Sequence, residues 1–297
     1  MGHIEKRAEG AGPFTTRLTW RPAEGGLAVW ESRAARKRGT LTVKAAADAE
    51  EAPQPADAVA VGRLRILNTA ASVTFTIGGA LFALGAAIAL AGGTARTSAL
   101  VYFAGGLFFN AGGYASLLQT INAPTLGPTA DTLETHGWRW WSYEPMRIDW
   151  LSTFVLFAGT LVFGLNLLDS FLHGLSAQQT NRLIWAPDMV GCLLFLISGH
   201  LALEEVCHGH PGLRPQELGW WIVAVNQAGS VLFMISALAD FTLPSTGSLV
   251  NAGIANWGTL TGALCFSIGG VLQLFEHPQP ADPQAASTGS TAGSTRT

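Results

Sequence analysis

Six stretches of this sequence, 66–91, 98–120, 150–172, 183–203, 219–241 and 249–275, are apolar over the roughly 20 residues a helix needs to cross a bilayer. None holds a lysine or an arginine. Inside hydrocarbon every backbone N–H and C=O must find a partner within the protein, which leaves helices or closed barrels. The ~10-residue alternation of a barrel strand is missing, so helices are expected. Composition agrees: 48% of the 297 residues are hydrophobic and 12% charged, where a soluble domain carries about 25% charged residues. With a formal charge of −3 there is no basic excess to meet nucleic-acid phosphates. The expected fold is all-α, an integral membrane six-helix bundle over residues 63–276. A small segment precedes it (1–62) and a disordered Pro/Ser/Thr/Gly tail follows it (277–297). Its expected partners are the lipid bilayer and a second copy or another membrane protein.

Orientation is read from the basic residues beside the spans. Eleven of the 17 precede the first span, among them Arg33, Arg36, Lys37, Arg38, Arg63 and Arg65. In a six-span arrangement Arg139, Arg147, Arg214 and Arg296 join that side, and only Arg96 and Arg182 oppose them. Both termini are therefore expected in the cytoplasm, with the first span acting as an uncleaved anchor. Trp138, Trp140, Trp141, Trp150, Trp220 and Trp221 then fall in the cytoplasmic headgroup layer, which indole rings favour. The excess of Arg over Lys, with abundant Ala and Gly, suggests a bacterial source and an inner membrane. Cys192, Cys207 and Cys265 show no disulfide or CxxC spacing.

The polar segment carries a pattern of its own. Arg17-Leu-Thr-Trp20 and Leu27-Ala-Val-Trp30 flank Pro22-Ala-Glu-Gly-Gly26, which predicts a hairpin. Gly39 to Lys44 suits a third strand, and 46–58 reads as a linker.

Self-similarity is the strongest internal signal. Each span carries Gly-x-x-x-Phe-x-x-small: Gly78/Phe82, Gly105/Phe109, Gly159/Phe163, Gly191/Phe195, Gly229/Phe233 and Gly262/Phe266. In the second, fourth and sixth spans a further Gly follows the Phe by four, and Gln119, Glu205 and Glu276 follow it by ten. The repeating unit is thus a two-helix hairpin, present three times. Positions i, i+4 and i+7 share a helix face. Lipid gives helices no hydrophobic reason to associate, so small residues that let backbones approach are expected to form a packing seam. A pore-lining stripe is the alternative.

The last hairpin, Asn226-Gln-Ala-Gly-Ser-Val-Leu-Phe233 through Asn256-Trp-Gly-Thr-x-x-Gly-Ala-x-x-Phe266, resembles the YrhK-like membrane domain. Residues 220–275 carry the resemblance, and the span region resembles large actinobacterial membrane proteins with that domain. The resemblance implies a two-helix packing unit and no established activity.

Chemistry-bearing residues are few. His200, Glu204, Cys207 and His208, with His210 beyond, close the fourth span. Imidazole, carboxylate and thiolate suit a divalent metal such as zinc. A polar helix end is the plainer account. Asp169, Asp188 and Asp240 lie near the outer ends of three spans and could form an acidic vestibule. Mid-membrane polar groups are neutral: Asn110, Asn166, Ser198, Asn226, Gln227, Ser236 and Asn256. A proton relay is therefore not expected. Neither a Walker A loop nor a GxGxxG motif is present. The expectation is a protein without catalytic apparatus or cofactor, structural, accessory or sensory. A small-solute or ion channel is the rival, and a metal-binding membrane protein the third reading.

Overall fold

The computed structural model describes residues 6–21, 26–44, 52–126, 133–210 and 212–276. The tail expected to be disordered lies outside them.

The N-terminal segment is a five-stranded antiparallel sheet in chain order: β1 (Lys6–Ala11), β2 (Phe14–Trp20), β3 (Leu27–Glu31), β4 (Thr40–Lys44) and β5 (Ala52–Pro55). The hairpin of the sequence reading is β2 with β3, in the register Arg17↔Glu31 to Trp20↔Ala28. β4 is its third strand. β5 corrects the reading of 46–58 as linker: it pairs with β4 from Thr40↔Pro55 to Val43↔Ala52. Two prolines hid it, but an edge strand tolerates them because one rank of its N–H groups is unused. Trp20, Ala28 and Leu41 form the sheet's core.

A seven-residue helix, α1 (Ser32–Arg38), interrupts the sheet between β3 and β4. Gly39 stops it in the left-handed region at φ 65°, and its N–H returns to the Ala34 and Ala35 carbonyls. A side chain there would be strained and would press on Leu64.

The long helices are α2 (Ala58–Leu90), α3 (Ala95–Ile121), α4 (Ile148–Asp169), α6 (Ala186–Cys207), α7 (Leu218–Ala239) and α8 (Ala252–Leu274). Asp57, Thr94 and Asn251 cap α2, α3 and α8, each side chain accepting from first-turn N–H groups. A short α5 (Ala177–Thr180) and a π-turn (Asn181–Trp185) lead into α6. Pro187 sits at the start of α6, where its missing N–H helps to loosen the ladder into that wider turn.

Among the described residues, five helical runs are long and apolar enough to cross a membrane: α2, Ala177–Cys207, α4, α7 and α8. The expectation of six such spans is corrected at 98–120. That stretch is the helix α3, of sufficient length. Asn110, Tyr114, four glycines and Gln119 make it less apolar than its neighbours.

The six long helices pack as a closed ring. Each lies against its chain neighbour, and α8 returns against α2. Trp150, expected in the headgroup belt, is instead buried against Leu117 and Ile121 and stacks on Phe154. Trp138, Trp140, Trp141 and Trp221 do stand exposed.

Candidate functional site

The axis of the ring is filled at its centre by six buried phenylalanines, one from each long helix. They form two stacked triangles. Phe82, Phe163 and Phe233 make one, with ring centroids 5.5–6.3 Å apart. Phe109, Phe195 and Phe266 make the other, and each triangle meets its partner within the same hairpin.

The glycines explain the placement. In each hairpin the two motif glycines face each other, and each receives the phenylalanine of the opposite helix. A Cβ on Gly262 would lie 2.5 Å from Phe233 and 3.0 Å from the Gly229 oxygen; one on Gly229 would lie 2.9 Å from the Gly262 oxygen. Gly78 with Gly105, and Gly159 with Gly191, repeat the arrangement.

A cavity opens on either side of this aromatic double layer. On the side away from the sheet, a space of about 170 Å³ is floored by Phe82, Phe163 and Phe233, with Asn166, Asp188 and Asp240 on its walls. Of the three aspartates proposed for a vestibule, Asp188 and Asp240 line this space and Asp169 does not. Asn166 Nδ2 donates to Asp188 Oδ1 at 3.2 Å. Of the other mid-membrane amides, Asn226 lines the second cavity and Asn256 the first. Asn110 lies in a separate groove with Gly164 and Leu165. Ser198 and Ser152 exchange hydroxyl-to-carbonyl bonds of 2.9 Å between α6 and α4.

The second cavity, about 110 Å³, lies on the sheet side. Phe195 and Phe266 form its roof, Ser116, Ser152 and Asn226 its walls, and Arg33, Arg36 and Lys37 of α1 its floor. These three bases sit at i, i+3 and i+4, so they share one face of α1, and that face is turned into the bundle.

Each base enters a different hairpin. Arg33 binds Glu276 through both arms of its fork, Nε to Oε1 at 2.8 Å and Nη2 to Oε2 at 2.7 Å. Arg36 Nη2 donates to Glu205 Oε2 at 2.7 Å, Ser32 Oγ donates to its Oε1 at 2.9 Å, and Asp149 stands 3.9 Å from Arg36 Nε. Lys37 Nζ donates to Gln119 Oε1 at 2.8 Å and Asn68 Oδ1 at 3.1 Å. Gln119, Glu205 and Glu276 are the residues ten beyond the phenylalanine in the repeat. Asn68, Asp149 and Gly219 form a matching set, each fourteen before the phenylalanine of the other helix. Gly219 leaves room for Arg33, whose Nε is 2.7 Å from where a Cβ would stand.

Burial and contact together shift these groups. By itself it would lower Arg33 and raise Glu276; their contact reverses both, raising Arg33 and holding the Glu276 carboxyl below the ordinary glutamate value. Burial, with Arg36 adding to it, pulls Lys37 well below the ordinary lysine value.

Sequence reasoning missed this latch. The basic run was read only as a topology signal. The available clue was its i, i+3, i+4 spacing beside three polar residues recurring at the ends of three apolar spans.

The four candidate metal ligands are placed apart. The His200 side chain is 68% exposed on the outside of α6, with Nε2 3.9 Å from Glu204 Oε1. Cys207 Sγ faces the Gly212 carbonyl at 3.6 Å. His208 ends α6 in the left-handed region and pairs Nδ1 with Thr16 Oγ1 of β2 at 3.0 Å. Burial lowers its pKa. Gly209 follows at φ +73°, with its Cα so close to the β1 backbone that a Cβ would fall 2.3 Å from the Gly10 oxygen. This helix end docks the sheet. Among the described residues no group of three or more His, Cys, Asp or Glu side chains is arranged to hold a metal ion. No family model, curated protein or solved structure matches this chain.

Proposed function

We propose that this chain is a six-span bacterial inner-membrane protein, with both termini in the cytoplasm, whose helix ring encloses a closed axial route for a small solute or ion. The observation that carries this is the series arrangement along the axis: polar cavity, double layer of six phenylalanines, polar cavity. A hydrophobic constriction between wetted spaces gates by excluding water, and widening or wetting it opens the path. α3 counts as the sixth span in this reading. Its length and its place between α2 and α4 support that role, and its polar residues have helical neighbours to face. The resemblance of residues 220–275 to the YrhK-like domain belongs to the same proposal, with each hairpin as one such unit.

Purified protein in liposomes tests it. Phe163→Ser and Phe233→Ser each wet one face of the layer and should raise potassium flux severalfold over wild type. If folded variants leave the vesicles as tight as before, the packed aromatic centre is a scaffold and the structural reading replaces the channel.

A further inference from the structure

We propose that the sockets at the sheet end form a cation-binding site and that α1 is its tethered occupant, a plug displaced by free cations when the route opens. This rests on the axial-route reading above.

The sockets are made by the repeat itself. A ring with approximate threefold order brings the Gln119, Glu205 and Glu276 positions together around one mouth, with Asn68 and Asp149 beside them. The Arg33 and Arg36 guanidiniums already occupy two of these seats, and Gly219 clears space for Arg33. The site is therefore seen holding cationic groups.

The way α1 is held suits a plug better than a permanent strut. It buries Ser32, Arg36 and Lys37 and turns Arg33 inward, while Ala35 is its only fully apolar buried side chain among the described residues. A contact built from ion pairs gains little over apolar packing of the same shape. Arg36 Nε is buried with no hydrogen-bond partner among the described residues. Lys37 rests on two neutral amides.

Charge along the axis selects the sign of the ligand. With α1 withdrawn, the sheet-end mouth presents Glu205 and Glu276, while Asp149 stays paired with Arg147. The opposite mouth presents Asp188 and Asp240. At the sheet end, the Glu205 and Glu276 carboxylates raise the local cation concentration.

The experiment has two arms, both on the full chain in liposomes. In the first, Arg33→Gln/Arg36→Gln/Lys37→Gln on a Phe163→Ser background, where the aromatic layer is already wetted, should raise potassium flux about tenfold or more over Phe163→Ser alone, the factor that corresponds to about 1.4 kcal/mol. Chloride flux should stay at the Phe163→Ser level. Unchanged potassium flux here, while Phe163→Ser conducts, overturns the plug and leaves the route standing. If neither conducts, the route itself fails. A rise in chloride flux overturns the cation assignment. The second arm keeps the three bases, so misfolding of the triple variant does not decide the outcome. Ala202→Cys lines the sheet-side cavity; on a Cys207→Ser background it is labelled with a membrane-impermeant thiol reagent from the sheet side. Guanidinium chloride should speed labelling severalfold over tetramethylammonium chloride at equal ionic strength, because guanidinium competes for the seats of Arg33 and Arg36. Equal rates in the two salts overturn the plug.

Discussion

Glu205 ties α1 to the middle hairpin. It is 1% exposed and is bonded by Arg36 and Ser32. Its replacement by alanine strands a buried guanidinium, a loss that typically costs about 3–5 kcal/mol. Glu205→Ala should therefore lower the melting temperature in detergent more than Lys37→Met, which strands only the Gln119 oxygen, at about 1–3 kcal/mol, since Gln273 Nε2 still donates to Asn68 Oδ1. Glu276 supplies the pH dependence. A carboxyl held low in the folded state adds stability that is complete above the ordinary value of 4.5 and is lost as pH falls through the lower folded value. Acid titration of the melting temperature should show a fall below that point, and Glu276→Gln should flatten it. Sequence alone marks Gln119, Glu205 and Glu276 as one repeated position. It cannot say what they hold, because their partners lie up to 243 residues away.

Among elements, the hairpin is the one whose logic is most local, and it was the most legible. Its glycines and phenylalanines recur at fixed spacing because two backbones must meet at the same depth three times. Gly262→Ala, driven into Phe233, should cost about 1–3 kcal/mol as overpacking does. Leu264→Ala, on the exposed side of the same helix, should change the melting temperature little. α1 was illegible for the opposite reason: its buried face is basic, and hydrophobic periodicity has nothing to report there. The His200 cluster shows a different limit of spacing. His200 and Glu204 do stack at i and i+4, yet they do so on the outer face of α6.

For the whole molecule, apolar run lengths revealed helices in a membrane but not their closure. Nothing in the spacing of α2 and α8 announces that they are neighbours, since that contact joins the two ends of the bundle. The topology follows from counting crossings. Reporter fusions at Ser245, between α7 and α8, and after Glu276 should lie on opposite sides of the membrane. The same side for both would remove α8 as a span and open the ring.

The pairing of Arg33 with Glu276 also sets an order of events during synthesis. The ribosome makes the sheet and α1 first, but the last of their three seats exists only once α8 is complete. At about 5–20 residues per second, the first-made domain waits on the order of 10–50 s for its final partner. Until then α1 has the Lys37 seat of Asn68 and Gln119, then the Arg36 seat of Asp149 and Glu205, and lacks only the third. A bundle that stops short of α8 leaves Arg33 without Glu276, so this one pairing distinguishes a finished bundle from an unfinished one.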